Sequence, residues 1–200
     1  MVSNNLPVTK DQIQEFAQLC DGKKRFVLIL DFDHVEHEDR FDISYQISAN
    51  GFTDFAFCRF DHAADANLVE DLEHKVNIAA GIIVAGHEPD SILKVFSRSW
   101  CQEVFSRFIK RGGTWFGIGP GATVVGDKML VGDKTQPGLS LFDGIITTDY
   151  YSQHKEIPLR NAFFGSRLQL GIGLNQDEWM VFRDGLIEKK VGIPQVFLRE

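Results

Sequence analysis

The sequence is poor in cysteine and has no excess of positive charge. Its 200 residues include three cysteines, Cys20, Cys58 and Cys101. An odd number of widely spaced cysteines does not build a disulfide framework, and no Cys-x-x-Cys pair indicates a zinc site. Lysine and arginine number 21 against 28 aspartates and glutamates, which gives a formal net charge of −7. Because phosphate binding needs a basic face, we expect no nucleic acid partner.

Long hydrophobic runs are also missing. Residues Met1–Pro7 lack the basic segment and apolar run of a signal peptide, and no apolar run approaches the roughly 20 residues that span a bilayer. These absences predict no membrane contact and a cytoplasmic location. Hydrophobic residues are plentiful at 44%, among them 17 phenylalanines, which is enough for the core of one domain over residues 1–200.

Buried strands alternate with amphipathic helices in the first part of the chain. Thr9 and Gln12 form a capping box before the first helix, and Asn67 with Glu70 opens the third. The predicted strands are 25–31, 54–60, 79–84 and the segment after Gly113. The other predicted helices cover 41–48 and the segment with the periodic positions Leu93, Phe96, Trp100, Val104 and Phe108. This order predicts an α/β fold with three layers and a doubly wound, mainly parallel sheet of the flavodoxin-like kind.

The pattern changes in the last third of the sequence. A strand over Ile145–Tyr150 and a helix over Leu159–Leu168 are predicted, and the remainder indicates antiparallel pairing. Two apolar runs flank Asp184-Gly185 near the end of the chain, which is typical of a β-hairpin with a two-residue turn. We therefore expect a C-terminal β-hairpin.

The segment from Gly112 to Ala122 has the layout of a nucleophile elbow: an apolar strand, a tight glycine turn and a short helix. No reactive side chain occupies it. Gly119 stands where a serine or cysteine is expected, and Pro120 follows. Ligands bind beyond the carboxyl ends of strands in such sheets, so Gly86-His87-Glu88 should be a neighbour of this turn.

Five short motifs, in order and spacing, carry a resemblance to a known family. They are Ala85-Gly86-His87-Glu88, Gly117-Ile118-Gly119-Pro120-Gly121-Ala122, Asp149-Tyr150-Tyr151-Ser152, Arg167-Leu168 and Gly171-Ile172-Gly173-Leu174-Asn175-Gln176. From about Phe26 onward the chain resembles the cyanophycinase and dipeptidase E family of serine peptidases. The resemblance implies the class I glutamine amidotransferase-like fold.

The departures from the family pattern fall on its catalytic positions. The resemblance places Gly119 at the nucleophile, Tyr151 at the base and Asn175-Gln176 at an acidic pair. A serine hydrolase needs the nucleophile and the base, and a phenol accepts protons poorly at neutral pH. Pro120 also lacks the N–H that the residue after the nucleophile gives to the oxyanion. We therefore expect a pseudoenzyme in which no catalytic residue is intact.

The same resemblance implies a small acidic amino acid or peptide as the ligand. Family arginines in the region of Arg160 and Arg167 help to hold an acidic substrate, although the two can equally be surface charges. Being seven residues apart, they would share a helix face. The helix after Pro120 would add its positive dipole end. The expected ligand-binding residues are Gly86, His87, Glu88, Gly121, Arg160 and Arg167.

Two other functions stay open at this stage. Displaced residues such as Ser152 and His154 could make an active peptidase on aspartyl or isoaspartyl peptides. The chain could instead be a structural or oligomer-forming module, with a homodimer as one form.

Cofactors and metals are not expected. Asp31-Phe32-Asp33-His34 with Glu36-His37 has metal-binding residue types, but no second cluster would fix the geometry. The pattern Gly117-x-Gly119-x-x-Ala122 fits a loose dinucleotide fingerprint, yet it lies in mid-chain and contains Pro120.

Overall fold

The structure is a computed structural model that describes residues 1–3, 8–32, 43–60, 69–86, 88–96 and 99–199. The strands in this part of the chain are β1 (Val2–Ser3), β2 (Val27–Phe32), β3 (Phe55–Arg59), β4 (Gly81–Gly86), β5 (Thr114–Ile118), β6 (Gly126–Val131), β7 (Lys134–Pro137), β8 (Phe142–Thr147), β9 (Leu170–Gly173), β10 (Trp179–Arg183), β11 (Leu186–Val191) and β12 (Gln195–Leu198). The helices are α1 (Lys10–Leu19), α2 (Ile43–Ala49), α3 (Val69–Ile78), α4 (Pro89–Phe96), α5 (Ser99–Lys110), α6 (Pro120–Thr123) and α7 (Glu156–Phe164).

The first sheet contains seven strands in the order β11-β10-β1-β5-β4-β2-β3. In this sheet order, every neighbouring pair between β1 and β3 is parallel. β10 runs antiparallel to both of its neighbours, β1 and β11. The central strand β4 is apolar throughout, and β2 is apolar except for Asp31 near its end, because both faces of the sheet are covered. This arrangement confirms the predicted three-layer, mainly parallel α/β fold and its C-terminal hairpin.

Alternate residues of the central strands enter two separate cores, one on each face of the sheet. Leu28 and Leu30 pack into the larger core, and their neighbours Val27 and Ile29 pack into the other. Phe16 of α1 also packs into the second core. This helix begins with the predicted capping box of Thr9 and Gln12. Period-two alternation therefore builds two hydrophobic layers from one strand.

The second sheet has five strands in the order β12-β9-β8-β6-β7. The prediction that this part of the chain is antiparallel was wrong for its centre, where β8 pairs parallel with both β6 and β9. The physical reason is α7, which joins β8 to β9 as a helical crossover and so returns the chain in the same direction. Only the outer strands β7 and β12 are antiparallel to their neighbours within this sheet.

Several helices and strands begin or end at other residues than predicted. The strand expected over 145–150 is β8 and ends at Thr147, and the helix expected to reach Leu168 ends at Phe164, before the cap residue Gly165. The periodic segment around Phe96 forms two helices, α4 and α5. Residues 41–42 and Asn67, parts of two predicted helices, lie outside the described residues. None of the described helices is both long and apolar enough to span a bilayer.

Candidate functional site

The predicted elbow is present between β5 and α6. Gly119 has φ 53° and ψ −120°, a positive φ that favours glycine, and its N–H donates to the carbonyl of Ser3 over 2.8 Å. A Cβ built on Gly119 would meet no atom within 4 Å. The turn thus keeps the sharp shape of a nucleophile elbow and leaves open space where a nucleophile would project.

Two further glycines let this turn pack against the sheet. A Cβ on Gly121 would lie 2.0 Å from the carbonyl oxygen of Val84, and one on Gly117 would lie 2.3 Å from the carbonyl oxygen of Gly121. Both distances are far below van der Waals contact. Gly117 and Gly121 are therefore required by close backbone approach, whereas Gly119 is favoured by its backbone conformation alone.

An open cavity of about 340 Å³ lies over the elbow. Its lining comes from the carboxyl ends of β4 and β5 and from the segment that follows β8, where the parallel-sheet rule places a binding site. The described residues that line it are Gly86, Pro89, Ile118, Gly119, Pro120, Thr123, Leu130, Thr148, Asp149, Gln153 and Lys155.

Hydrolytic groups are sparse in this lining. Thr123 and Thr148 carry the hydroxyl groups among the described lining residues, and the Thr123 hydroxyl donates to the Pro120 carbonyl over 2.8 Å within α6. The amides of Ala122 and Thr123 donate to the Gly119 carbonyl, so both are used inside the turn. α6 has four residues, and we attribute no anion site to its short dipole.

The two adjacent tyrosines in the segment after β8 have different environments. Tyr150 is buried and packs against β9, where a Cβ on Gly173 would lie 2.4 Å from its ring. Burial raises the pKa of Tyr150, with Tyr151 and Glu156 adding to the rise. Tyr151, predicted at the base position, is 55% exposed and is not among the lining residues. Its phenol does not face the elbow as a base would.

The displaced pair considered as an alternative does not reach the cavity lining. Ser152 and His154 are both exposed, and the Ser152 hydroxyl donates to the Asp149 carbonyl over 3.4 Å. His154 has a positive φ of 51° in the turn before α7. Gln176 is exposed as well, so it is not oriented as the acid of a triad would be.

Asn175 and Glu178 tie three segments together. The side-chain oxygen of Asn175 accepts from the Tyr151 N–H over 3.0 Å, and its Nδ2 donates to Glu178 Oε2 over 3.1 Å. Glu178 is buried and also accepts from the backbone N–H groups of Asn175 and Ile193. The Asn175 amide, predicted to replace an acidic residue, therefore has a structural role here.

Lys155 is the positively charged residue of the described lining, and the sequence analysis did not assign it to the site. Its Nζ donates to the Thr148 carbonyl over 2.8 Å, and the side chain is half-buried. Burial lowers the pKa of Lys155, and the nearby Asp149 carboxylate partly offsets this shift. The sequence does contain a signal for this residue. A charged residue shortly after a parallel strand is a candidate for the carboxyl edge of the sheet, where ligands bind.

The residues predicted to bind a ligand are dispersed. Gly86 lines the cavity and Gly121 is buried beneath it in the elbow. Glu88, Arg160 and Arg167 are exposed and are not among the lining residues, and His87 lies outside the described residues. The expected shared helix face of the two arginines was wrong, since α7 ends three residues before Arg167. Their binding roles stay predictions.

Most of the candidate metal segment lies outside the described residues. Asp31 and Phe32 end β2, but the residues that follow them through Glu36 and His37 lie outside the described residues. No cofactor follows from the glycine pattern of the elbow, because its glycines are explained by the turn and by close packing.

Comparison with known proteins gives structural neighbours. No protein-family model matches the chain, and the search of curated proteins found no match. A crystal structure of a candidate peptidase E protein from Listeria monocytogenes EGD-e has a TM-score of 0.67 at 13% identity, covering 96% of this chain and 97% of that one. A peptidase from an acI-B1 Actinobacterium has a TM-score of 0.66 at 17% identity, covering 99% and 95%. TM-scores of this size over nearly the full length of both chains establish the architecture, and the chain therefore has the peptidase E-like, flavodoxin-like α/β fold that the sequence predicted.

Proposed function

We propose that this protein is a non-hydrolysing relative of the peptidase E-like proteins, which binds a small acidic molecule or peptide in the cavity over Gly119. One observation carries the proposal: the elbow and its open cavity are retained, while the nucleophile position holds no side chain. A retained cavity without its reactive group is suited to binding rather than to turnover.

Loss of several catalytic groups at one site supports the absence of hydrolysis. Gly119 offers no atom that could form an acyl intermediate, and Pro120 offers no N–H to an oxyanion. Removal of one oxyanion donor alone slows a hydrolase on the order of 100-fold or more. Tyr151, at the base position, is exposed and outside the lining. Restoring one group would leave the others missing.

The ammonium of Lys155 and the structural neighbours favour an acidic ligand. Lys155 brings the positive charge to the described lining, and Asp149 is the other charged residue there. The two neighbouring structures are described as peptidase proteins, so a peptide or amino acid is the natural class of ligand to test. The volume of about 340 Å³ is at the lower end of the range for small-molecule sites, roughly 300–1,000 Å³.

Two experiments on the purified full chain test the proposal. Labelling with a serine-directed fluorophosphonate and assays with a panel of Asp-X dipeptides should give no adduct and no turnover. Calorimetric titration with the same dipeptides and with aspartate should give saturable binding.

The alternatives predict different results. Dipeptide turnover that His154→Ala abolishes would establish a peptidase acting through displaced residues. The absence of binding by every peptide and acidic amino acid would favour a structural module, and analytical ultracentrifugation would then report its oligomeric state.

A further inference from the structure

We infer that Lys155 is the residue that binds the carboxylate of the ligand in the cavity over Gly119. This inference rests on the proposed function and names the group that recognises the ligand. It replaces the sequence-based assignment of that role to Arg160 and Arg167.

The first support is the position of Lys155. Among the described residues that line the cavity it is the one that carries a positive charge. An ammonium has three N–H donors, and one of them is used on the Thr148 carbonyl at 2.8 Å. Further donors are available to a ligand while this bond orients the side chain.

The second support is the rigid attachment of the Lys155 backbone. Its N–H donates to the Tyr150 carbonyl over 2.9 Å, and its carbonyl accepts from Leu159 N–H over 2.9 Å at the start of α7. The Tyr151 N–H, in the same segment, is held by the side chain of Asn175. The ammonium therefore extends from a segment anchored to the second sheet, which reduces the entropy cost of ordering it on binding.

The third support is the unfavourable environment of the charge. Burial of Lys155 penalises its charged form and lowers its pKa, the nearby Asp149 carboxylate offsets only part of this shift, and a ligand carboxylate beside the ammonium would offset more of it. Asp149 lines the same cavity and would repel a second negative charge on the ligand's binding group. The lining is therefore better matched to a carboxylate, and to a zwitterionic amino acid or peptide, than to phosphate.

The arginines are less suited to this task. Arg160 lies on an exposed position of α7, and Arg167 lies beyond the end of that helix. Neither lines the cavity. A carboxylate bound by exposed guanidinium groups would also gain little, because the interaction is screened by water.

The test is calorimetric titration of the full chain and of Lys155→Met with four probes: an aspartyl dipeptide, succinate, the fully amidated dipeptide lacking free carboxylates, and inorganic phosphate. Lys190→Met, which removes an exposed lysine of β11, is the matched control. A hydrogen bond to a charged group contributes roughly 1.5–3 kcal/mol, so Lys155→Met should bind the dipeptide about 10- to 100-fold more weakly. Lys190→Met should bind as the unmodified chain does.

A pH series separates direct binding from a structural role of Lys155. Affinity for succinate should fall as the pH rises through the pKa of Lys155, and this dependence should disappear in Lys155→Met. NMR of the Lys155 Cε in the unmodified chain gives a second measurement that needs no variant. Saturation with succinate should raise the pKa of Lys155.

The inference is overturned if Lys155→Met keeps full affinity, if Arg160→Met causes the loss instead, if phosphate binds as tightly as succinate, or if the pKa of Lys155 does not respond to succinate. Equal affinity of Lys155→Met and the unmodified chain would leave the proposed binding function standing. Hydrolysis of the dipeptide by the unmodified chain would contradict the proposed function alone, since Lys155 could still hold the carboxylate. Failure of every probe to bind would overturn both.

Discussion

Asn175 donates to Glu178 twice, from its side-chain Nδ2 over 3.1 Å and from its backbone N–H over 2.6 Å, and both bonds end on the same carboxylate oxygen. The side-chain oxygen of Asn175 meanwhile accepts from Tyr151 N–H. The position therefore needs one donor and one acceptor on the same side chain, which an amide supplies and a carboxylate does not. Asn175 therefore bridges two loops through its side chain.

We expect Asn175→Asp to destabilise the protein by about 1–3 kcal/mol at neutral pH, because a carboxylate would face that of Glu178 and would replace the Nδ2 donor from which Glu178 Oε2 accepts. The neighbouring charge would raise the pKa of the introduced carboxyl. The cost is then present above that pKa and is relieved as the pH falls through it. Urea denaturation at pH 7 and pH 5 measures the effect. The control is Gln176→Glu, which adds the same charge at an exposed neighbour and should change little.

The glycines of the elbow should differ sharply in their tolerance of a methyl group. Gly119→Ala meets open space, so its cost is backbone strain at positive φ, about 1–3 kcal/mol. Gly132→Ala, at φ 59° in the β6–β7 turn with open space beside it, is the matched control and should cost a similar amount. Gly121→Ala would place a methyl 2.0 Å from the Val84 carbonyl oxygen and should cost well above ~3 kcal/mol or prevent folding. Comparable melting temperatures for Gly119→Ala and Gly121→Ala would contradict this account of the elbow.

The central strands, the first helix cap and the elbow could be predicted because each depends on local sequence. β4 and the first four residues of β2 are continuous apolar runs, Thr9 and Gln12 are three residues apart, and Asp184-Gly185 supplies two consecutive positive φ angles. Strand pairing depends instead on distant segments. β1 has two residues and lies between β5 and β10, a placement without a local pattern.

The candidate site also combines features that depend on local sequence with features that depend on distant segments. The motif alone predicts that Gly119 and Pro120 supply no nucleophile and no oxyanion donor, and the structure adds that the space beside Gly119 is open. Its place shortly after a parallel strand makes Lys155 a candidate for this edge of the sheet, but its approach to the cavity depends on where β8 ends and where α7 begins. The resemblance places Tyr151 at the base position, yet the adjacent Tyr150 is the buried tyrosine and Tyr151 is exposed.

The lowered pKa of Lys155 predicts a pH dependence of stability. A lysine whose folded pKa lies below its unfolded value binds protons more weakly in the folded state, so it destabilises the fold wherever both states are protonated. This cost disappears as the pH rises from below the folded pKa toward the ordinary value of 10.5. In that window the free energy of unfolding of the unmodified chain should therefore rise relative to that of Lys155→Met. Guanidinium denaturation between pH 7 and 10.5 gives the difference, with Lys190→Met as a control that should follow the unmodified chain. A difference that stays flat or falls with pH would contradict the assignment.

Gly119→Ser should restore the side chain of a nucleophile without restoring hydrolysis. The open space beside Gly119 admits the hydroxyl, and the strain of a non-glycine residue at φ 53° is the strain that elbows normally carry. The serine would still lack a base, because Tyr151 is exposed and His154 lies outside the lining, and the oxyanion would still face Pro120. We expect no turnover of Asp-X dipeptides and no fluorophosphonate adduct above that of the unmodified chain. Gly119→Ala is the control for strain in the same assays. Measurable turnover by Gly119→Ser would mean that a base does reach the elbow, and the non-hydrolysing assignment would then depend on position 119 alone.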